Sequence, residues 1–469
     1  MHELIGKSAV EVVALLKSGA VTPLECLDAL EQRIAEVNGA VNALPTLCFD
    51  RARKHATALM RKPVGERGPL AGLPVPIKDL ADVAGVRSTQ GSPIFAENVP
   101  AQSDILVRHL EGQGGIVYAM SNTPEFGAGA NTFNEVFGAT LNPWNTKRSA
   151  AGSSGGAAAA LATGMAWVAH GSDMGGSLRN PASFCGVVGL RPAPGRVAAS
   201  PGSTIDGTLG VEGPMARNVE DTALLLDAMA GEEAADPISL PFDGRSFRAA
   251  CRSGWMPKRV AVSRDLGLPP VDPEVARIVL KAARAFEQAG VIVEEAHPDF
   301  SGAREVSQTL RALSYANMKP LLEQHRGKLK PEVIWNIEKG LALTAPEIIS
   351  AEAGRARIFK NAVAFFETYD LLLCPATIVA PFPVERRYVT ACDGVTFETY
   401  VDWLTIVSAV TLTTCPAISI PAGFTREKLP VGIQIVGPPR GEGRLLAGAK
   451  ALETVLGLGK LTPIDPRLG

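Results

Sequence analysis

Two short segments rich in glycine and serine hold most of the chemistry this chain could perform. The first is Ser149-Ala-Ala-Gly152-Ser153-Ser154-Gly155-Gly156, followed by the alanine run Ala157–Ala160. Glycines and serines ahead of an Ala-rich helix present backbone N–H groups and hydroxyls at a helix N-terminus, where an anion can bind. The same residues would also make a plain connector, and the GxxxxGK[ST] pattern of a P-loop is absent. Gly152-Ser-Ser154-Gly-Gly156 also fits GxSxG, which in a nucleophile elbow follows a buried apolar strand. Here the preceding Asn142-Pro-Trp-Asn-Thr-Lys-Arg148 reads as a loop, which makes the elbow match accidental.

The second segment is Ser172-Asp173-Met174-Gly175-Gly176-Ser177-Leu178-Arg179. Successive glycines beside a serine let several backbone N–H groups converge where an oxyanion would form. Its plain reading is a tight turn after a strand over 166–170. A nucleophilic Ser177 needs a base, and none of the six histidines (2, 55, 109, 170, 297, 325) lies in a glycine–serine motif. A lysine can serve if desolvation lowers its pKa from ~10.4 towards ~7–8. Leu73-Pro-Val-Pro-Ile-Lys78-Asp79 offers one at the end of an apolar, proline-stiffened segment; an exposed strand-end lysine paired with Asp79 is the alternative.

These segments need elements to hold them. Thr22-Pro-Leu-Glu25 is a capping box with proline at the first helical position, and apolar residues at helical spacing run from it to Asn38-Gly39. Further helices are predicted over 49–60, 104–112, 218–231 and 443–456. Strands are predicted over 116–119, 259–263, 291–295, 370–374, 417–420 and 432–436. Their interleaving indicates an α/β fold with a mixed or parallel sheet. The N-terminus reads as an amphipathic helix carrying Glu3 and Glu11, without the clean apolar stretch of a signal peptide. The charge-free stretch 403–425 contains Pro416 and Pro421, which favours a buried loop-and-strand segment over a membrane span.

Composition narrows the function classes. The chain has 469 residues, 46% of them hydrophobic, enough for a substantial core. Its 46 basic and 48 acidic side chains argue against a nucleic-acid coat or a polybasic membrane binder. The seven cysteines (26, 48, 185, 251, 374, 392, 415) include no CxxC pair, which points to a reducing, cytoplasmic setting rather than a disulfide framework. No HExxH or His–Cys cluster is present, so a metal centre finds little support and no cofactor is implied. Residues 68–215 are rich in Gly, Ser, Ala and Asn, and 232–400 are more charged and helical. No linker separates them, so the second region reads as an elaboration within one domain.

Taken together, Gly72-Leu-Pro-Val-Pro-Ile-Lys78, Ala151-Gly-Ser-Ser-Gly-Gly156 and Asp173-Met-Gly-Gly-Ser-Leu-Arg179 resemble the amidase signature family in order and spacing. Asn142-Pro-Trp144, Pro181-Ala-Ser-Phe-Cys-Gly186, Gly213-Pro-Met215 and Pro430-Val-Gly-Ile-Gln-Ile435 add to the likeness. It is strong over 65–230 and returns at 411–456. The resemblance implies a single α/β/α domain around a twisted mixed sheet. It implies an acyl-accepting Ser177, a bridging Ser153 after a cis peptide, and Lys78 as base. It further implies an oxyanion hole from the N–H groups of Met174, Gly175, Gly176 and Ser177. Ser154, Asp173 and Arg179 become supporting residues, Gly127 borders the acyl pocket, and Cys185 is a buried neighbour. Ala151 and Ala157 depart from the family pattern at positions without a catalytic role.

The expected activity is cofactor-free hydrolysis of a small-molecule amide, ester, aryl amide or carbamate, with room for a homodimer and no nucleic-acid or membrane partner. Three rivals stand beside it. One is the glutamine-hydrolysing subunit of a tRNA amidotransferase, another a His-dependent α/β-hydrolase using Ser154, the third a non-enzymatic anion binder using the glycine–serine loop. Trp335, Tyr388, Tyr400 and Trp403 could line a pocket, although a place in the core is the favoured reading for them.

Overall fold

A computed structural model of the chain describes residues 1–200, 207–242, 244–268 and 270–469. Ten strands organise it: β1 (Pro74–Lys78), β2 (Ile116–Ser121), β3 (Val168–Asp173), β4 (Val188–Arg191), β5 (Val211–Ala216), β6 (Arg259–Val262), β7 (Ile292–Glu295), β8 (Leu371–Pro375), β9 (Ala417–Phe424) and β10 (Pro430–Val436). Eight of them form one mixed sheet in the order β7-β6-β8-β10-β9-β4-β5-β3. Only the β6–β7 and β6–β8 pairs are parallel. The sheet is flanked by helices, as the interleaved pattern indicates. Strands β1 and β2 stand outside it, paired in parallel in a small sheet with Thr46–Leu47. Most of the central strands are buried at every residue, which explains why they read as unbroken apolar runs.

Several boundaries shift from those expected. The helix capped by Thr22 runs on to Val41 and stops at Asn42, whose left-handed conformation ends it. The helix capped by Asn218 ends at Met229. The loop expected before Gly152 is in part a polar hairpin, Leu141–Asn142 with Asn145–Ser149. The stretch 403–425 contains a buried helix, Thr405–Leu412, before β9.

Three helices set the site: α1 (Gly155–Ala162), α2 (Arg179–Cys185) and α3 (Ala303–Tyr315). Every residue of α1 and α2 is buried, which small side chains make feasible in so crowded a place. The start of α2 lies directly on the sheet: a Cβ at Gly189 of β4 would stand 2.3 Å from the Leu178 carbonyl oxygen and 3.1 Å from Ala182 Cβ. Backbone cannot yield cheaply at that distance, so the close approach requires glycine. Gly189→Ala is therefore expected to cost about 1–3 kcal/mol, read as a lower denaturant midpoint at unchanged slope. A midpoint equal to wild type would show that α2 is not seated on Gly189.

Candidate active site

Lys78 ends β1 and is fully buried. Its Nζ lies 2.7 Å from Ser153 Oγ, 3.0 Å from Ser172 Oγ and 3.4 Å from the Ser172 carbonyl oxygen. Among the described residues no carboxylate pairs with it. Burial pushes its pKa down to about 7, against an opposing pull from the Glu212 and Asp173 carboxylates. Asp79 makes no ion pair with it: that carboxylate is itself buried and accepts the N–H and hydroxyl of Thr89 at 2.8 and 2.5 Å. The exposed, Asp-paired lysine is thus not what the fold builds.

The serine loop is rigidly held. Gly152 and Ser153 are joined by a cis peptide bond. A Cβ at Gly152 would meet Thr132 Oγ1 at 2.9 Å and the Ala130 backbone at 3.2 Å. Thr132 donates its hydroxyl to the Ala151 carbonyl at 2.8 Å. Ser154 is buried, donates its N–H to the Ser177 carbonyl (3.2 Å) and exchanges hydrogen bonds with the Ser172 backbone at 3.3 Å. Its hydroxyl is thereby engaged by the Ser172 backbone, whereas Ser153 and Ser177 both open onto one cleft.

The turn after β3 is organised by a buried charge cluster. Asp173 accepts the N–H groups of Gly176 (2.9 Å) and Leu178 (3.1 Å). It also accepts Arg179 Nε and Nη2 at 3.0 and 2.9 Å, with Arg191 Nη1 at 3.4 Å. Burial alone would raise its pKa, but the two guanidinium groups and these donors hold it well below the usual carboxylate range. Arg179 is completed by the Val407 carbonyl (3.1 Å), Thr411 Oγ1 (3.0 Å) and Gln434. The N–H groups of Met174, Gly175 and Ser177 meet no protein acceptor among the described residues. Gly176 departs from the expected four-donor oxyanion set because its N–H already donates to the Asp173 carboxylate.

The cleft has a volume of about 1030 Å³. Gly127, at φ +70°, forms part of its wall, where a Cβ would touch Ser153 Oγ at 3.4 Å. Other walls come from α3 and the segment after it, through Leu310, Arg311, Tyr315, Met318 and Leu321. The four aromatic residues that could have lined a pocket lie in the hydrophobic core or packed against it, as the favoured reading had it. Trp335 and Tyr388 meet the ring of Tyr400 at 5.4 and 6.0 Å, and Trp403 meets Phe382 at 5.8 Å. Cys185 is buried, its thiol pushed up by desolvation.

Three residues of the site escape a reading of the sequence: Ser172, His170 and Glu212. Ser172 sits inside its motif, where nothing marks it as a contact of the lysine. His170 is buried, and its Nδ1 accepts the Lys78 backbone N–H at 3.2 Å. With Nδ1 accepting, Nε2 carries the proton and donates to Glu212 at 2.6 Å. Cross-strand register aligns Glu212 with Ser172 and His170 with Pro214. The only sequence signal is the alternation of 168, 170 and 172 along β3, which puts His170 and Ser172 on one face.

Among the described residues no three His, Cys, Asp or Glu side chains gather as metal ligands, and no helix is long and apolar enough to cross a membrane. A family model described as Amidase matches residues 25–446. An acylamidase of Rhodococcus erythropolis is 36% identical over 98% of this chain and 97% of its own. A glutamyl-tRNA(Gln) amidotransferase subunit from Moorella thermoacetica is 34% identical over 96% of this chain and 97% of its own. A bacterial aryl acylamidase structure superposes with a TM-score of 0.88 at 28% identity, covering 98% of this chain and 99% of that one. The 6-aminohexanoate cyclic dimer hydrolase follows at 0.86 and 27%, covering 99% and 98%. The matches in sequence and in fold agree: the chain belongs to the amidase family of the amidase signature enzymes, hydrolases of amide C–N bonds.

Proposed function

We propose that the chain cleaves acyl amides, aryl amides foremost, through an acyl-enzyme on Ser177. The observation that carries this reading is the buried, carboxylate-free amine of Lys78 at 2.7 Å from Ser153 Oγ. In its neutral form Lys78 accepts the proton of Ser153, and Ser153 accepts that of Ser177 as Ser177 Oγ attacks the carbonyl carbon. The N–H groups of Met174, Gly175 and Ser177 receive the oxyanion. The proton held on Lys78 returns through Ser153 to the leaving nitrogen, the C–N bond breaks, and the amine departs. Water then attacks the ester along the same relay, the acid leaves, and Ser177 regains its proton. Asp173 and Arg179 hold the turn and Ser154 ties the two loops. Esters and carbamates fit the same acyl transfer.

The cleft walls Leu80, Phe95, Phe126 and Tyr315 support bulky or aryl substrates over small aliphatic amides. The acylamidase and aryl acylamidase relatives point the same way. A second reading, glutamine hydrolysis within an amidotransferase, is favoured by the 34% identity to the Moorella thermoacetica protein. It requires ammonia release from glutamine that depends on a second polypeptide; hydrolysis of anilides by the chain alone argues for the first. The same reading takes the chain as one domain, with 65–230 as catalytic core and 232–400 as its elaboration. Its cysteines, all free, suit a reducing compartment.

For an anilide substrate, kcat/KM should rise through a midpoint near pH 7 as Lys78 loses its proton, and level off above it. Glu212→Gln removes a negative charge that favours the protonated amine, so the midpoint should move to lower pH. Lys78→Ala should cut kcat by roughly 10²–10⁴ with a smaller change in KM. A variant with near wild-type kcat would remove Lys78 as the base.

The serine assignments separate in one labelling experiment. Ser177→Ala should abolish acyl-enzyme formation and labelling by a fluorophosphonate. Ser153→Ala should cripple turnover with the nucleophile still present. Ser154→Ala should be milder, losing hydrogen bonds of roughly 1 kcal/mol each. Label on Ser154, with Ser177→Ala still active, would overturn the mechanism.

A further inference from the structure

Arg311 of α3 is half-buried on the wall of the cleft and has only neutral partners. Its Nε donates to Asn336 Oδ1 at 3.2 Å, and Nη2 to the hydroxyls of Tyr400 (3.2 Å) and Tyr315 (3.4 Å). The one hydrogen-bond partner of Nη1 among the described residues is the Met174 thioether at 4.0 Å. The Tyr315 and Tyr400 rings lie 5.3 and 5.9 Å from the guanidinium carbon. Among the described residues no carboxylate pairs with it. Several other guanidinium groups face carboxylates: Arg179 and Arg191 face Asp173, Arg304 faces Asp402 and Glu398, and Arg387 faces Glu332. The buried Arg217, away from the cleft, is held by the Ile5 and Lys7 carbonyls. The acidic groups of the cleft are turned elsewhere. Glu212 faces His170, Asp236 accepts the N–H groups of Ala199 and Ile238, and Glu352 makes no ion pair with Arg311.

A cation withdrawn from bulk water without a counter-charge is costly unless something anionic completes it. Its position says what that something is. Nη1 lies 3.8 Å from where a Cβ would stand on Gly175, two residues before Ser177. Consecutive Cα atoms are about 3.8 Å apart, so the donor lies no more than about 13 Å from the Cα of Ser177. A guanidinium fork offers parallel donors matched to a carboxylate.

We propose that Arg311 selects amides that carry a carboxylate a short spacer away from the scissile carbonyl. This deepens the hydrolytic reading above and rests on it for the identity of the cleft. The residue acts on binding, without a part in proton transfer. Tyr315 and Tyr400 hold the guanidinium in place by hydrogen bonds and by their rings.

The test uses matched ligands on the Ser177→Ala protein, where binding is measured without turnover. N-(4-nitrophenyl)succinamate is compared with N-(4-nitrophenyl)butyramide, and 4-butyramidobenzoate with 4-methylbutyranilide, by calorimetry. In at least one pair the carboxylate should bind roughly 10- to 100-fold more tightly, as one charge-assisted contact implies. In Ser177→Ala/Arg311→Gln that ratio should collapse toward one, and Arg311→Lys, which keeps charge but loses the fork, should fall between. A ratio near one in both pairs overturns the inference whatever the variants do. Equal weakening of both members of a pair by Arg311→Gln, with the ratio kept, also overturns it, since that is the mark of a purely structural arginine. Failure of the hydrolytic reading is distinguishable: wild type would then turn over none of the four compounds, while the binding ratio would still report on Arg311.

Discussion

The site depends on an amine that cannot comfortably hold its proton. Lys78 is removed from water, faces two hydroxyls and a carbonyl, and meets no carboxylate among the described residues. Desolvation therefore outweighs the distant pull of Glu212 and Asp173, and the pKa falls to about 7. Everything around it preserves that imbalance. Asp79, adjacent in sequence, is turned to Thr89, so the nearest acid in the chain does not restore the ammonium. His170 holds the backbone of Lys78 from one side and passes the contact to Glu212, which tunes the amine from a distance without pairing with it.

The neighbouring cluster solves the opposite problem. Asp173 is as deeply buried as Lys78, yet it remains a carboxylate because two guanidinium groups and two backbone N–H groups converge on it. Removing one partner of such a cluster leaves an uncompensated buried charge, at a cost of about 3–5 kcal/mol. Its benefit is geometric: the carboxylate gathers Gly176, Leu178 and Arg179 and so shapes the turn that carries Ser177. The two charges thus divide the work. One is starved of charged partners, which suits the base proposed for it, and the other is saturated with them and holds the turn. Arg311 belongs to neither type, since its neutral partners leave a donor open towards the cleft.

Packing brings these pieces together. Lys78 arrives on β1, in the small sheet, whereas Ser172, Asp173 and Ser177 follow from β3 at the edge of the large one. Between them lies the loop Ala151–Ser154, fixed by Thr132 and by the Ser154–Ser177 backbone contact. Close approach at Gly189 lets α2 descend onto the sheet, which seats Leu178 and, through it, the turn.

Local patterns in the chain were enough to specify the α/β class, most element centres and the three motifs bearing Lys78, Ser153 and Ser177. Those features rest on caps, apolar periodicity and glycine–serine chemistry, all of which act over a few residues. Even so, helix ends slipped: the helix expected to stop at Asn38-Gly39 runs through them, and the left-handed Asn42 ends it. What could not be read were relations between distant segments. His170 had no motif to mark it, and its role arises because β1 passes beside β3. The amide of Gly176 belonged by sequence with its neighbours, until the folded chain brought its N–H to the Asp173 carboxylate. Trp335, Tyr388, Tyr400 and Trp403 went to the core, the reading favoured for them, whereas the part α3 plays in the cleft wall had no motif to mark it. Residue type sets what a side chain can do, whereas burial and partners, which only the folded chain decides, set its charge and its direction.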